Sequence, residues 1–223
     1  MVALILTFFF LKDGPRFLPW VRVSVGRGAG AHLTEALTRV WNTLSGFIRT
    51  QAIVSAVDSI CIGIGLVVLQ VPLAVPLVVL TFFGGFIPII GAFTAGTVAV
   101  LVALVAGGVS KALIVLIIII AVQQIEGHVL QPLLQSRSMS LHPAIVLLSV
   151  AFGGSQFGIP GAFFAVPVAA SVAVLWRYLS EQIDLRTGDA RAGDLSPATA
   201  EGEYAAQAGE RHGNVLSRLH RKD

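Results

Sequence analysis

The chain has 223 residues, of which 55% are hydrophobic and only 12% are charged, with a net charge of +3. An average soluble domain carries about 25% charged residues, roughly twice the share found here. This composition argues against an ordinary soluble enzyme, a disordered chain and a nucleic-acid-binding module.

The charged residues are unevenly distributed along the chain. Residues 59–110 contain no Asp, Glu, Lys or Arg, and neither do residues 138–176. Each run exceeds the roughly 20 apolar residues that span a bilayer. We therefore expect an integral membrane protein whose environment is the lipid bilayer. Nucleic acid is not an expected partner, because the basic residues are scattered and have no aromatic stacking platform among them.

The N-terminal part combines an apolar start with a more polar segment. Residues 1–11 are apolar but only about 16 Å long as a helix, which predicts part of a membrane helix. Residues 12–49 carry apolar side chains at helical spacing and more basic than acidic residues. By the positive-inside rule, they form a cytoplasmic amphipathic helical segment.

A permease-like core is predicted over residues 50–178. Thr50 to Leu69 is the first full membrane helix, and the next apolar stretch is broken around Pro88 and Gly91. Such breaks occur within lipid only where protein or a water-filled cavity supplies hydrogen-bond partners. We expect two helices, 73–86 and 90–107, either tilted across the membrane or folded as a re-entrant hairpin.

The second half repeats this layout. Residues 111–124 form a returning helix, residues 126–142 are polar and irregular, and the apolar stretch from Pro143 is broken around Gly158 and Gly161. Paired broken helices are a pointer to a transport site. The fold class is therefore all-α, a polytopic transmembrane bundle with two Gly/Pro-broken helix pairs. Residues 179–223 are predicted to be a cytoplasmic, disordered tail because large apolar residues are scarce there.

One segment is much more specific than the rest. Residues 122–132 read VQQIEGHVLQP and are followed by Leu141-His142-Pro143. This pattern resembles the signature of the autoinducer-2 exporter family, a group of bacterial, PerM-like permeases. Three further blocks are similar to the family: Thr50-Gln51, FIPIIG at residues 86–91, and GIPGAFFAVP at residues 158–167.

The resemblance covers about residues 1–180 and carries several expectations. It implies a homo-oligomeric permease of the bacterial cytoplasmic membrane that exports or conducts a small polar solute. Some members are associated with sodium–proton exchange, so an antiporter is the alternative. Members usually carry further helices upstream of the position of Met1, which predicts an N-terminally truncated chain and leaves an inactive fragment or membrane scaffold as another alternative. Thr50 also departs from the glycine common in the family.

Two acidic residues are the main transport-path candidates. Asp58 lies near the middle of a membrane helix, where an acid facing lipid costs roughly 2.5–3.5 kcal/mol. It either belongs to a proton- or cation-linked site or orders helix packing as a buried acid. Glu126 follows Gln123 and Gln124 at the end of a membrane helix. Beside those amides it either binds a cation, exchanges a proton or hydrogen-bonds a solute, or it only fixes the loop by pairing with Arg137 or capping backbone amides.

The remaining candidates have mostly structural interpretations. His142 either titrates near neutral pH on the path or caps the following helix. We assign helix-break roles to six further residues: Pro88, Gly91, Pro132, Pro143, Gly158 and Gly161. Gly63, Gly65 and Gly96 are expected to allow close helix packing. We expect no metal site and no enzymatic activity, because neither a metal-ligand spacing nor a G-x-S-x-G motif is found. No cofactor is expected, and the lack of a Walker motif disfavours ATP-driven transport by this chain alone.

Overall fold

A computed structural model describes residues 26–88, 90–130 and 141–220. These residues form α-helices and short turns without any strand, so the all-α prediction is confirmed. The five α-helices are α1 (Arg27–Val68), α2 (Ala74–Gly84), α3 (Ile90–Ile125), α4 (Pro143–Thr187) and α5 (Ala200–His220). The predicted helix over residues 1–11 and the break at Pro132 lie outside the described residues.

Among the helices of the described residues, three are long and apolar enough to cross a membrane, namely those over Gly28–Val68, Ile90–Val129 and Pro143–Thr187. The predicted boundary between residues 49 and 50 falls inside the continuous helix α1. Gly46 is the only glycine near that point, and an isolated glycine costs a helix only about 1 kcal/mol. The amphipathic segment and the membrane helix therefore continue one into the other.

The described residues divide into two compact units. The first unit contains residues 26–42 and 172–220, and the second contains residues 43–171 except for the undescribed positions. Helices α1 and α4 each contribute to both units.

Within the second unit, the chain makes a tight reversal between α2 and α3 at residues 85–88, which we call the first reversal. The chain folds back here and brings α2 and α3 very close together. A Cβ on Gly91 would overlap the carbonyl oxygen of Gly84. The backbones of α2 and α3 therefore touch at this glycine pair. The helix bounds expected from the sequence, 73–86 and 90–107, agree with the observed α2 and first part of α3 within two residues. The two helices form an antiparallel pair, and whether they cross the membrane or re-enter it stays a prediction.

Helix α3 is itself bent at Gly108, which has φ 73° and ψ −174°. Its two arms, residues 90–107 and 109–125, pack together, with Gly96 close to the side chain of Ile119. α1 approaches this bundle through Gly63, which meets Val78 of α2, and Gly65, which meets Ile118 of α3. The predicted use of these glycines in close helix packing is confirmed. The core contains nine buried residues: Ile62, Leu66, Val71, Leu77, Ala99, Ala103, Val115, Ile119 and Val122.

Helix α4 is bent at Gly158, which has φ 65° and ψ −147°. Residues 143–171 form the second hairpin, in which a Cβ on Gly161 would overlap the carbonyl oxygen of Gly153. A second buried cluster lies here, made of Phe47, Val150, Ala162, Ala165 and Val166. The Phe86 ring of the first reversal stacks on Phe163 of the second hairpin, with centroids 5.5 Å apart. The two broken segments predicted from the sequence therefore meet each other.

The sequence predicts a disordered tail over residues 179–223, but the described part of this segment, which belongs to the first unit, is largely helical. Helix α4 continues to Thr187 and ends where Gly188 adopts a positive φ of 86°. After a short loop, α5 buries Ala205 and Ala206, and Gly209 lies against Leu185 of α4. The composition of this C-terminal segment suggested disorder because the segment has few large apolar residues. Its small residues nevertheless form a face that packs closely on another helix.

Candidate functional site

A polar cavity of about 380 Å³ lies within the second unit. Its walls come from α1, the first reversal, the end of α3 and the second hairpin. The lining residues are Phe47, Gln51, Val54, Ser55, Asp58, Gly85, Ile87, Pro88, Ala92, Gln123, Glu126, Leu141, Pro143, Val146 and Val166. Two other cavities, at the α4 crossing and between the arms of α3, are lined almost wholly by apolar residues.

The α1 wall of the cavity is a stripe of polar side chains. Gln51, Ser55 and Asp58 are spaced four and three residues apart, which puts them on one face of the helix. All three are buried. The amide Nε2 of Gln51 donates a hydrogen bond to the carbonyl oxygen of Gly85, at 2.6 Å. α1 therefore holds the first reversal against the cavity.

Two atoms on this wall lack a hydrogen-bond partner among the described residues. They are Oγ of Ser55 and Oδ1 of Asp58, whose residues are 1% and 8% exposed. A buried polar atom without a partner costs free energy, so native proteins pair nearly all of them with protein, water or ligand. Both atoms are thus available to a molecule that enters the cavity.

The facing wall is formed by the end of α3. Gln123 lies in the last turns of the helix, and Glu126 opens the wider π-helical turn Glu126–Leu130. Such turns are frequent at functional sites. The carboxyl groups of Glu126 and Asp58 are close enough to interact. The described lining carries these two carboxyl groups and no Lys or Arg.

The structure brings together only some of the residues predicted from the sequence. Asp58, Gln123 and Glu126 line one cavity, together with Pro88 and Pro143. Their role in transport stays a prediction.

Several other candidates lie away from the cavity lining. Gln124 is exposed on the neighbouring face of α3, and Gly91, Gly158 and Gly161 serve the reversals described above. His142 accepts a hydrogen bond through Nδ1 from the backbone N–H of Ala144, at 3.2 Å. This contact has the geometry of a helix cap, and a role of His142 on the transport path stays a prediction.

Ser55 and the contact of Gln51 with the first reversal were missed by sequence reasoning. In the sequence, Gln51 stands out only as part of the Thr50-Gln51 block at the start of a membrane helix. The signal that could have found them is the polar spacing Gln51, Ser55 and Asp58 within an otherwise apolar helix. One face of a buried helix carrying three polar residues indicates a shared polar environment.

Comparison with known proteins identifies the family. The sequence model of the AI-2E family transporters matches residues 1–181. The chain belongs to the AI-2E transporter family. The resemblance seen in the sequence motifs is thereby confirmed, and the protein is a member of a membrane transporter family.

Relatives of this AI-2E family chain include "Putative transport protein MT0215" of Mycobacterium tuberculosis, 41% identical over 170 residues, which are 76% of this chain and 46% of the relative. YueF of Bacillus subtilis, named in the same way, is 29% identical over 195 residues, which are 86% of this chain and 52% of the relative. The chain thus spans about half the length of these curated relatives. No solved structure matches it.

Proposed function

We propose that this AI-2E family chain forms the core of a permease that exports or conducts a small polar solute through the cavity between α1, α3 and the second hairpin. The observation that carries the proposal is the pair Asp58 and Glu126, two carboxyl groups that interact inside one cavity of an apolar bundle. Ionisable groups in membrane segments are costly and mark substrate and ion pathways.

The chemistry of the cavity favours a particular kind of solute. Its volume of about 380 Å³ suits a small molecule. Amides of Gln51 and Gln123, the Ser55 hydroxyl and the two carboxyl groups offer hydrogen bonds. The absence of Lys and Arg from the described lining disfavours anions. A neutral, hydroxyl-rich solute such as autoinducer-2, which the family name implies, or a cation fits these conditions.

The distribution of charge supports a placement of the chain in the membrane. Basic residues outnumber acidic ones in residues 12–49, which supports a cytoplasmic position for that segment. We place residues 50–178 in the bilayer and the C-terminal tail on the cytoplasmic side of the bacterial inner membrane. We also propose that the chain forms a homo-oligomer. The family resemblance and the distribution of charges support this arrangement.

Flux in proteoliposomes tests the function. Asp58→Asn and Glu126→Gln each replace a carboxyl group by an amide of the same size, and Asp184→Asn, at an exposed position of α4, is the matched control. Loss of a hydrogen bond to a charged group is worth about 1.5–3 kcal/mol, so autoinducer-2 flux should fall about tenfold or more in the first two variants. Unchanged flux in both, at equal protein levels, would contradict the proposal.

A second readout separates the solute permease from a sodium–proton antiporter. A pH-sensitive dye in the same vesicles reports whether sodium collapses an imposed proton gradient. Sodium-dependent collapse without autoinducer-2 flux would favour the antiporter. Flux of the solute without collapse would favour the permease.

A further inference from the structure

Glu35 in the first unit has an unusual set of partners. Its side chain is fully buried, and its carboxylate accepts hydrogen bonds from Nε of Arg39 at 2.6 Å, from the backbone N–H of Ala198 at 2.7 Å and from Oγ1 of Thr199 at 2.6 Å. A buried carboxylate is tolerated only when its lone pairs are satisfied and its charge is balanced. Two of its three donors come from the C-terminal segment, so docking of that segment completes the site.

The same contacts start helix α5. The Thr199 hydroxyl donates to Glu35 and also accepts a hydrogen bond from the backbone N–H of Gly202, at 3.0 Å. This is the geometry of a helix N-cap. Gly202 packs so closely on Glu35 that an added Cβ would overlap the carboxylate. Thr199 therefore both begins α5 and attaches it to α1.

Arg39 extends the network to α4. Its guanidinium donates through Nη1 to Glu181 at 2.5 Å and lies 5.1 Å from the ring centroid of Tyr178. The Tyr178 hydroxyl is in turn 2.6 Å from Nδ1 of His32 on α1. One buried polar network thus joins α1, α4 and the C-terminal segment. Such networks specify one arrangement when all their members are satisfied.

The segment concerned lies beyond the family match, which ends at residue 181. We propose that residues 195–211 form a latch that docks on Glu35, holds α1 and α4 together in the first unit, and restrains transport until it is released. Both helices continue into the second unit, where they carry cavity residues. The restraining role rests on the proposed transport function, whereas the docking does not.

Hydrogen–deuterium exchange of the whole chain in detergent or nanodiscs tests the docking. Gly202→Ala forces a Cβ onto Glu35, and Thr199→Val removes the donor hydroxyl. Gly193→Ala is the matched control, because nothing lies within 4 Å of an added Cβ there. Loss of a hydrogen bond to a charged group predicts about tenfold or faster exchange of the amides of residues 198–206 in the two test variants. The control should exchange like the unchanged chain.

Flux through the same three variants tests the restraint. Release of the latch should raise autoinducer-2 flux about fivefold, the lower end of typical coupling between sites. Unchanged exchange in Gly202→Ala and Thr199→Val overturns the docking. Faster exchange with unchanged or reduced flux overturns the restraint and leaves a structural contact. If the unchanged chain shows no flux at all, the proposed function fails and the restraint fails with it, while the exchange result still decides the docking.

Discussion

Nε2 of Gln51 donates a hydrogen bond to the carbonyl oxygen of Gly85 at 2.6 Å, and this contact attaches the first reversal to α1. Residues of a reversal leave backbone groups that no helix satisfies, and hydrocarbon offers them no partner. Gln51 supplies one from a neighbouring helix. The contact also holds Gly85 beside Ser55, where an added Cβ would overlap the serine hydroxyl.

Replacing Gln51 by Leu keeps most of the volume and removes the donor. The carbonyl of Gly85 then loses its side-chain partner, and the chain should lose about 1–3 kcal/mol of stability. Thermal unfolding of the detergent-solubilised protein measures this as a lower Tm. Gln124→Leu is the matched control, since Gln124 is exposed on the outside of α3. Equal Tm values for both variants would show that Gln51 does not hold the reversal.

The local breaks in the fold could be predicted from the sequence, because proline and glycine act through their own backbone. Proline lacks the N–H that a helix needs, and Gly158 adopts the positive φ that other residues avoid. The ends of α2 and the first arm of α3 were accordingly expected within two residues. The close approach of Gly84 to Gly91 depends on how α2 packs against α3, so the positions of prolines and glycines alone do not predict it.

The site could be predicted only in part. Asp58 and Glu126 stood out because a charge in an apolar segment is rare, but their approach to each other depends on the packing of α1 against the end of α3. Glu35 gave no such signal. It is one acid in an amphipathic helix, and the donors that bury it lie 163 and 164 residues further along the chain. Long-range hydrogen bonds of this kind leave no local pattern.

The tight crossing of the second hairpin gives a prediction with neighbouring test and control positions. A Cβ on Gly153 would overlap the backbone carbonyl of Gly161, which cannot move without separating the two arms. Gly153→Ala should therefore destabilise the protein by about 1–3 kcal/mol, the usual cost of overpacking.

The control is one residue away. A Cβ on Gly154 would make an ordinary contact with the Cβ of Ala162 at 3.6 Å. Gly154→Ala should leave stability unchanged or raise it by up to about 1 kcal/mol, because alanine favours a helix. Thermal unfolding of both variants in one detergent compares them. If Gly154→Ala is the less stable of the two, the crossing described here is wrong.

Ser55 offers a prediction in which stability and transport change differently. Its hydroxyl is buried and has no hydrogen-bond partner among the described residues, so Ser55→Ala removes an unsatisfied group. Stability should stay the same or rise by about 1 kcal/mol. If the hydroxyl contacts the transported solute, autoinducer-2 flux should nevertheless fall. A merely structural serine would change both readouts in the same direction.

Ser59→Ala is the matched comparison on the same helix. Ser59 is buried outside the cavity lining, and its hydroxyl donates to the carbonyl oxygen of Ala56 at 3.0 Å. That variant should lose about 0.5–1.5 kcal/mol of stability and keep its flux. Flux in proteoliposomes and Tm in detergent, measured on the same two preparations, separate the cases. A flux loss confined to Ser59→Ala would mean that the α1 face carrying Gln51, Ser55 and Asp58 does not meet the solute.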